Sequence, residues 1–163
     1  VVAVVLLGLG SHVTACGPGQ RLRANLEDTC DPADRAMAER LVADEVLDLV
    51  PEGVRAQDKY TTLPCEDDDG LGAAGRTFIS QGQYPAIRAF HKAEFTKRRW
   101  ELRFEAPLES PGPGELDTTD VHVCFERADL PGVTLGLYFH HQAPLHYWVR
   151  FRFGERNQPC PTS

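Results

Sequence analysis

Positive charge is in short supply in this chain. Its 163 residues carry 17 Lys and Arg against 24 Asp and Glu, a net charge of −7. Proteins that hold nucleic acid usually present a basic excess to the phosphates, so nucleic acid is not an expected partner. An acidic balance mainly supports solubility. Beyond the first residues no stretch is long and apolar enough to span a bilayer, which takes about 20 residues. Catalytic signatures are missing too: there is no Gly-x-Ser-x-Gly, no His-Glu-x-x-His and no phosphate-cradling glycine loop. The Pro/Gly stretch Ser110–Gly114 has no Lys-Ser/Thr after it and does not lead into a helix. No Cys-x-x-Cys pair occurs, which argues against structural zinc. The expectation is therefore a protein without a cofactor and without catalytic activity. No internal repeat divides it.

Lysine is scarce even among the basic residues: Lys59, Lys92 and Lys97 stand alone among arginines. With frequent Ala, Gly and Pro, that bias suits a GC-rich bacterial genome. Val1 to Leu9 form an apolar run broken only by Gly8, of the length of a signal-peptide hydrophobic region. Gly10, Ser11 and His12 end it, and Val13-Thr14-Ala15-Cys16 follows. This tetrapeptide resembles the lipobox of bacterial lipoproteins: an aliphatic residue, two small residues and a cysteine. The resemblance covers roughly the first sixteen residues. It implies cleavage before Cys16, a diacylglyceryl thioether on that cysteine, and a protein held on the outer side of the cell membrane. Two acyl chains give stable attachment where one is marginal, at roughly 0.8 kcal/mol per buried CH₂. The implied division is a signal peptide over 1–15, a lipidated tether over 16–29 and one domain over 30–163.

Five cysteines are awkward in an exported protein. Assigning Cys16 to lipid leaves Cys30, Cys65, Cys124 and Cys160, enough for two disulfides in an oxidising compartment. Of the three possible pairings, Cys30–Cys65 and Cys124–Cys160 are favoured. The first would pin the start of a helix to the following loop, and the second would hold the Pro-rich tail onto a sheet.

The folded part reads as two halves. Asp31 is a good N-cap, Pro32 suits the first turn and Asp34 complements the helix dipole, so a helix is expected from there to about Val50. Its wet face is Arg40, Asp44 and Asp48, and Ala38, Leu41, Val42, Val46 and Leu49 lie opposite. Glu45 falls inside that apolar arc, where it must snorkel or pair with an arginine. Gly53 to Gly75 reads mostly as loop, with one short strand near Tyr60–Leu63, and Arg76 to Tyr84 contains a strand around Thr77–Gln81. Pro85 opens a second helix over Ala86 to about Lys97. Beyond it the pattern switches to period two. Apolar residues alternate at Trp100–Phe104, Val121–Phe125, Val133–Phe139 and Tyr147–Phe153. Short Pro/Gly links between amphipathic strands predict an antiparallel sheet with helices on one face. The fold class expected is α+β: one or two helices on a sheet of four to five strands. The arrangement resembles, by analogy alone, the cystatin-like and nuclear-transport-factor-like domains found among exported actinobacterial lipoproteins.

Three clusters invite a chemical reading. Glu66-Asp67-Asp68-Asp69-Gly70 attracts calcium in principle, but aligning Gly70 on the EF-hand glycine puts Cys65 at position one and Arg76 at position twelve, so a solvated loop is expected. His140, His141 and His146 surround one hairpin, and His140 and His146 would share the polar sheet face as weak metal candidates. That polar face is the more interesting surface. Strand alternation assigns it Arg99, Arg103, His122, Glu126, Tyr138, Trp148, Arg150 and Arg152, a mixture of arginine and large aromatics that interfaces favour. The expected function is a membrane-anchored, non-catalytic domain that binds an acidic or glycan ligand, or a protein partner, through this face. The alternatives are a metal-dependent enzyme built on His140 and His146, and a structural component of the cell envelope.

Overall fold

The computed structural model describes residues 30–107, 121–140 and 144–162. The apolar run, the lipobox with Cys16, the tether, the Ser110–Gly114 stretch and His141 lie outside the described residues.

The first helix, α1, begins as its sequence dictates. The Asp31 carboxylate accepts a hydrogen bond from the Ala33 N–H at 2.8 Å, with Pro32 in the first turn. It runs over Pro32–Val42 and stops well short of Val50. Asp44 interrupts it, because its carboxylate caps a new 3₁₀ turn, Glu45–Asp48, by accepting from the Val46 N–H at 3.0 Å. The break rotates the chain so that both Val46 and Leu47 are buried, while Glu45 turns out to pair with Arg98 at 3.0 Å. The apolar arc drawn on a continuous helix is therefore only partly used.

Two strands follow that are longer than expected. β1 spans Val54–Thr62, where the sequence suggests mostly loop, and β2 spans Gly72–Ser80, beginning well before the strand expected around Thr77–Gln81. An irregularity between Ala56 and Lys59 breaks the alternation of β1, and Gly72, Ala73, Ala74 and Gly75 give β2 no hydrophobic period to read. The second helix, α2, covers Tyr84–Lys97 with Pro85 in its first turn, close to expectation. β3 (Glu101–Glu105), β4 (Val123–Glu126), β5 (Thr134–His140) and β6 (Leu145–Phe153) complete the chain. Pro131-Gly132 makes the turn into β5: the Val133 N–H reaches the Leu130 carbonyl at 3.2 Å, and Gly132 takes the positive φ of 77° that the second turn position requires.

The six strands form one antiparallel sheet in the order β1-β2-β6-β5-β4-β3, so the fold is α+β with two helices on a six-stranded sheet. The expected four to five strands undercount it by the polar, irregular β1. One face is the core. Phe78 of β2 stands beside Tyr147 of β6, and Phe139 and Leu137 of β5 beside Tyr147 and Val149. Val123 and Phe125 of β4 continue the layer, and all of these side chains are buried. Each large apolar side chain removed from water contributes roughly 1.5–3 kcal/mol. α1 packs over β1 and β2, and α2 crosses to reach β3 at the far edge. β3 departs from the expected alternation: Trp100 lies before the strand and is buried, Leu102 is 41% exposed, and a register shift between them and Phe104 sets Phe104 opposite Cys124.

Both expected disulfides are present. Cys30 joins Cys65 with Cα atoms 5.4 Å apart, and Cys124 joins Cys160 at 5.6 Å. The first ties the start of α1 to the turn after β1. The second fastens the C-terminal tail to the sheet face that the helices leave uncovered.

Candidate functional site

The sheet's second face, called the outer face below, is organised in rows. Antiparallel pairing aligns Tyr60 of β1, Gly75 of β2, Arg150 of β6, Gly136 of β5 and Cys124 of β4 across five strands. The glycines decide what this row can hold. A methyl group added to Gly75 would lie 2.7 Å from the Tyr60 hydroxyl and 2.9 Å from the Val149 carbonyl oxygen. One added to Gly136 would lie 2.6 Å from the Tyr138 ring. Both tyrosines therefore fold over a glycine, and Arg150 stands between them.

Arg150 donates from Nε to the Tyr60 hydroxyl at 2.7 Å. Its guanidinium carbon lies 5.8 Å from the centre of the Tyr60 ring and 5.1 Å from that of Tyr138. Arg152, one row along, sits 5.4 Å from the same Tyr138 ring. Its neighbours on β2 and β5 are the short Ala73 and Thr134. Two guanidiniums thus lie against one aromatic ring, an attraction of about 0.5–2 kcal/mol each, depending on desolvation. Burial pushes the Tyr138 hydroxyl above the usual tyrosine range, against the opposing pull of Arg152 and Arg150. Tyr138 therefore stays neutral, a neutral phenol beside two cations.

Arginines in this domain divide into those paired with a carboxylate and those that are not. Arg76, Arg88, Arg98, Arg103 and Arg127 each have a carboxylate within 4.0 Å. Among the described residues Arg150, Arg152 and Arg156 have none, and neither do Arg40, Arg55 and Arg99 elsewhere; what sets the first three apart is that they gather at the outer face and the tail beside it. Arg156 reaches only the Asp69 carbonyl, at 3.4 Å.

The tail forms a wall beside these groups. The Cys160 N–H donates to Glu126 at 3.0 Å, and the Asn157 amide donates to the carbonyls of Gly132 at 2.9 Å and Arg152 at 3.1 Å. Between the tail and the sheet runs a groove of about 460 Å³, lined by Thr134, Tyr138, Arg152, Arg156, Pro159 and Pro161.

Of the residues assigned to this face by alternation, Tyr138, Arg150 and Arg152 come together as described. Trp148 pairs with Tyr138 across β6 and β5, and lies edge-on to His140 at 6.3 Å. Arg103 is on the outer side but at the β3 edge, held by Glu101 at 2.7 Å and Glu126 at 3.3 Å, so its charge is spent locally. Two residues do not belong. Arg99 is the positive-φ residue that closes α2, and His122 turns the other way, its Nδ1 accepting from the Phe139 N–H at 3.3 Å and its ring packing against Phe139 and Tyr84. Both lie just outside a strand, at positions where counting by twos no longer holds.

His140 faces His146 across β5 and β6, as the hairpin predicts. Among the described residues no set of three His, Cys or carboxylate groups gathers to hold a metal. The acidic run forms a local turn: Asp67 accepts from the Asp69 N–H at 2.9 Å, and Glu66 accepts from the Leu63 N–H at 2.9 Å. Sequence reasoning missed Tyr60, Arg156 and the glycines Gly75 and Gly136. The glycines were legible in principle, since a glycine inside a strand signals close approach by another group. No protein-family model, curated protein or solved structure matches the chain.

Proposed function

We propose that this chain is an exported lipoprotein, held on the outer side of the cell membrane by lipid on Cys16, whose α+β domain binds a ligand or partner without catalysing a reaction. The single observation that carries the binding half is the outer face, where Arg150, Arg152 and Arg156 lack carboxylate partners beside two tyrosines. Cations gathered without a nearby countercharge are an arrangement suited to a partner that supplies the missing charge. The Val13-Thr14-Ala15-Cys16 resemblance supports the anchoring half.

The test uses the two halves separately. Cys16→Ala should move the protein from the membrane fraction to the medium, and wild type should take up labelled lipid. Wild-type protein retained without label counts against the anchor. On intact cells, cross-linking through the outer face should recover an envelope component that a Trp148→Ala/Arg150→Ala variant no longer recovers, with its circular dichroism unchanged. Equal recovery by both proteins would remove the outer face from the reading. A zinc-dependent rise in Tm that His146→Ala abolishes would instead favour the metal-dependent alternative.

A further inference from the structure

We infer that the groove between β5, β6 and the disulfide-held tail is a binding site for an oxyanion, a phosphate or carboxylate group carried on a small ligand, with Arg152 and Arg156 as its cationic ligands. This inference deepens the binding role proposed above and rests on it.

Four observations converge. The groove volume, about 460 Å³, falls within the range of small-molecule sites and far exceeds a packing defect. Arg152 on its floor and Arg156 on its wall come from different segments, so the cavity meets positive charge from two sides. Neither guanidinium has a carboxylate within 4.0 Å among the described residues, although Asp69 lines the same groove. Arg152 is also held in place without being neutralised: the Tyr138 ring supports it from one side, and Ala73 and Thr134 are too short to screen it.

Guanidinium is the side-chain group best matched to such a ligand. It stays charged at any physiological pH and offers parallel N–H donors to two oxygens of one phosphate or carboxylate. The tail matters as much as the arginines. Pro159 and Pro161 shape one wall, and Cys124–Cys160 with the two Asn157 hydrogen bonds hold that wall in register. A preformed wall lowers the ordering cost of binding.

The experiment is a calorimetric and NMR titration of the full 163-residue chain, oxidised, with inorganic phosphate, glucuronate and glucose as probes. Phosphate, glucuronate or both should bind and shift the Arg152 Nε–H resonance, and glucose should not. Binding by phosphate alone identifies a phosphoryl ligand, and binding by glucuronate alone a carboxylate one. Arg152→Gln and Arg156→Gln should each weaken binding at least tenfold, while Arg40→Gln, exposed on the helical layer, leaves it unchanged. A Cys124→Ser/Cys160→Ser variant that keeps its circular dichroism should also bind at least tenfold more weakly, because the wall is released. No binding by either anion, or equal losses in Arg152→Gln and Arg40→Gln, overturns the site. Such a failure with envelope cross-linking through Trp148 and Arg150 intact removes the groove and leaves the binding role standing. Loss of the cross-link with anion binding intact does the reverse.

Discussion

Arg150 and Tyr60 sit two strands apart, yet the arginine Nε is 2.7 Å from the tyrosine hydroxyl. The contact exists because β2 places Gly75 between them. A side chain at that position would occupy the space through which Tyr60 leans. The 2.9 Å approach to the Val149 carbonyl cannot be relieved by a rotamer change, since the obstacle is backbone. Gly75→Ala is therefore expected to destabilise the domain by roughly 1–3 kcal/mol, the usual cost of overpacking. Tyr60→Phe removes only the hydroxyl and should cost less, about 1 kcal/mol for a partly buried bond. Urea unfolding followed by circular dichroism separates the two. Equal midpoints for wild type and Gly75→Ala would show that Tyr60 does not need the gap.

Arg99 makes a second case in which backbone geometry overrides a pattern. α2 ends with the Trp100 N–H on the Phe95 carbonyl at 3.1 Å and the Arg99 N–H on the Thr96 carbonyl at 3.0 Å. These are the paired bonds of a Schellman ending, whose penultimate residue adopts the left-handed conformation. Arg99 does so at φ 65°, the one positive-φ residue other than glycine among those described. Left-handed backbone costs a branched-out L-residue roughly 1 kcal/mol that glycine avoids. Arg99→Gly should thus raise Tm by a few degrees, and Arg99→Val should lower it. A lower Tm for the glycine variant would mean that the exposed arginine contributes more than its backbone costs.

These two residues show where the fold was legible and where it was not. β5 and β6 announce themselves, since one face of each is continuous apolar side chains and the other is polar or aromatic. The α+β class, the start of α1 and both disulfides follow from signals of that strength. β2 was obscured because its core positions include Gly72 and Ala74, small enough to sit under large neighbours and too small to register as hydrophobic. The helix over 31–50 was overextended because Asp44 reads equally well as a wet helical residue and as a cap. At the candidate site the sequence supplied Tyr138, Arg150 and Arg152, which lie within strands. It missed Tyr60 and Arg156, whose role depends on which strand pairs with β6 and where the tail returns. It also gave no hint of Arg88, a nearly fully buried arginine held by Tyr84 at 2.9 Å, the Ala106 carbonyl at 2.6 Å and Glu105 at 2.6 Å.

The tail disulfide closes a separation of 36 residues. Chain-entropy arguments give such a cross-link roughly 3–4 kcal/mol. Its loss has a local signature as well. Arg156 is exposed and Arg152 is partly covered, so trypsin should cut the native chain slowly at Arg152. In Cys124→Ser/Cys160→Ser the tail keeps only the backbone bond from position 160 to Glu126 and the Asn157 and Arg156 contacts, and cleavage after Arg152 and Arg156 should accelerate several-fold. Cys30→Ser/Cys65→Ser should lose comparable global stability without that acceleration. Identical digestion by the two variants would show that the disulfide does not hold the tail on its own.

His91 gives the domain an acid limit. It is fully buried, with Nε2 3.1 Å from the Tyr147 hydroxyl and its ring among Phe78, Phe90 and Phe95. Burial lowers its pKa from 6.5 to about 3, with Glu94 pulling weakly the other way. Among the described residues no hydrogen-bond partner meets its Nδ1, so the imidazolium would bury an N–H without an acceptor. Above pH 6.5 the imidazole is neutral in both folded and unfolded chains and contributes no pH dependence. Between pH 6.5 and about 3 the unfolded chain holds a proton that the folded chain refuses, so stability falls as pH falls. The slope is about 1.4 kcal/mol per pH unit, on the order of 2–3 kcal/mol lost by pH 4.5. Carboxylates protonate over part of this range too, so the decisive quantity is a difference. In His91→Phe the loss of stability between pH 6.5 and 4.5 should shrink by that amount, even if the variant starts lower at pH 7 for want of a partner to Tyr147. Parallel pH profiles for wild type and His91→Phe would mean that the buried imidazole is not what limits this fold in acid.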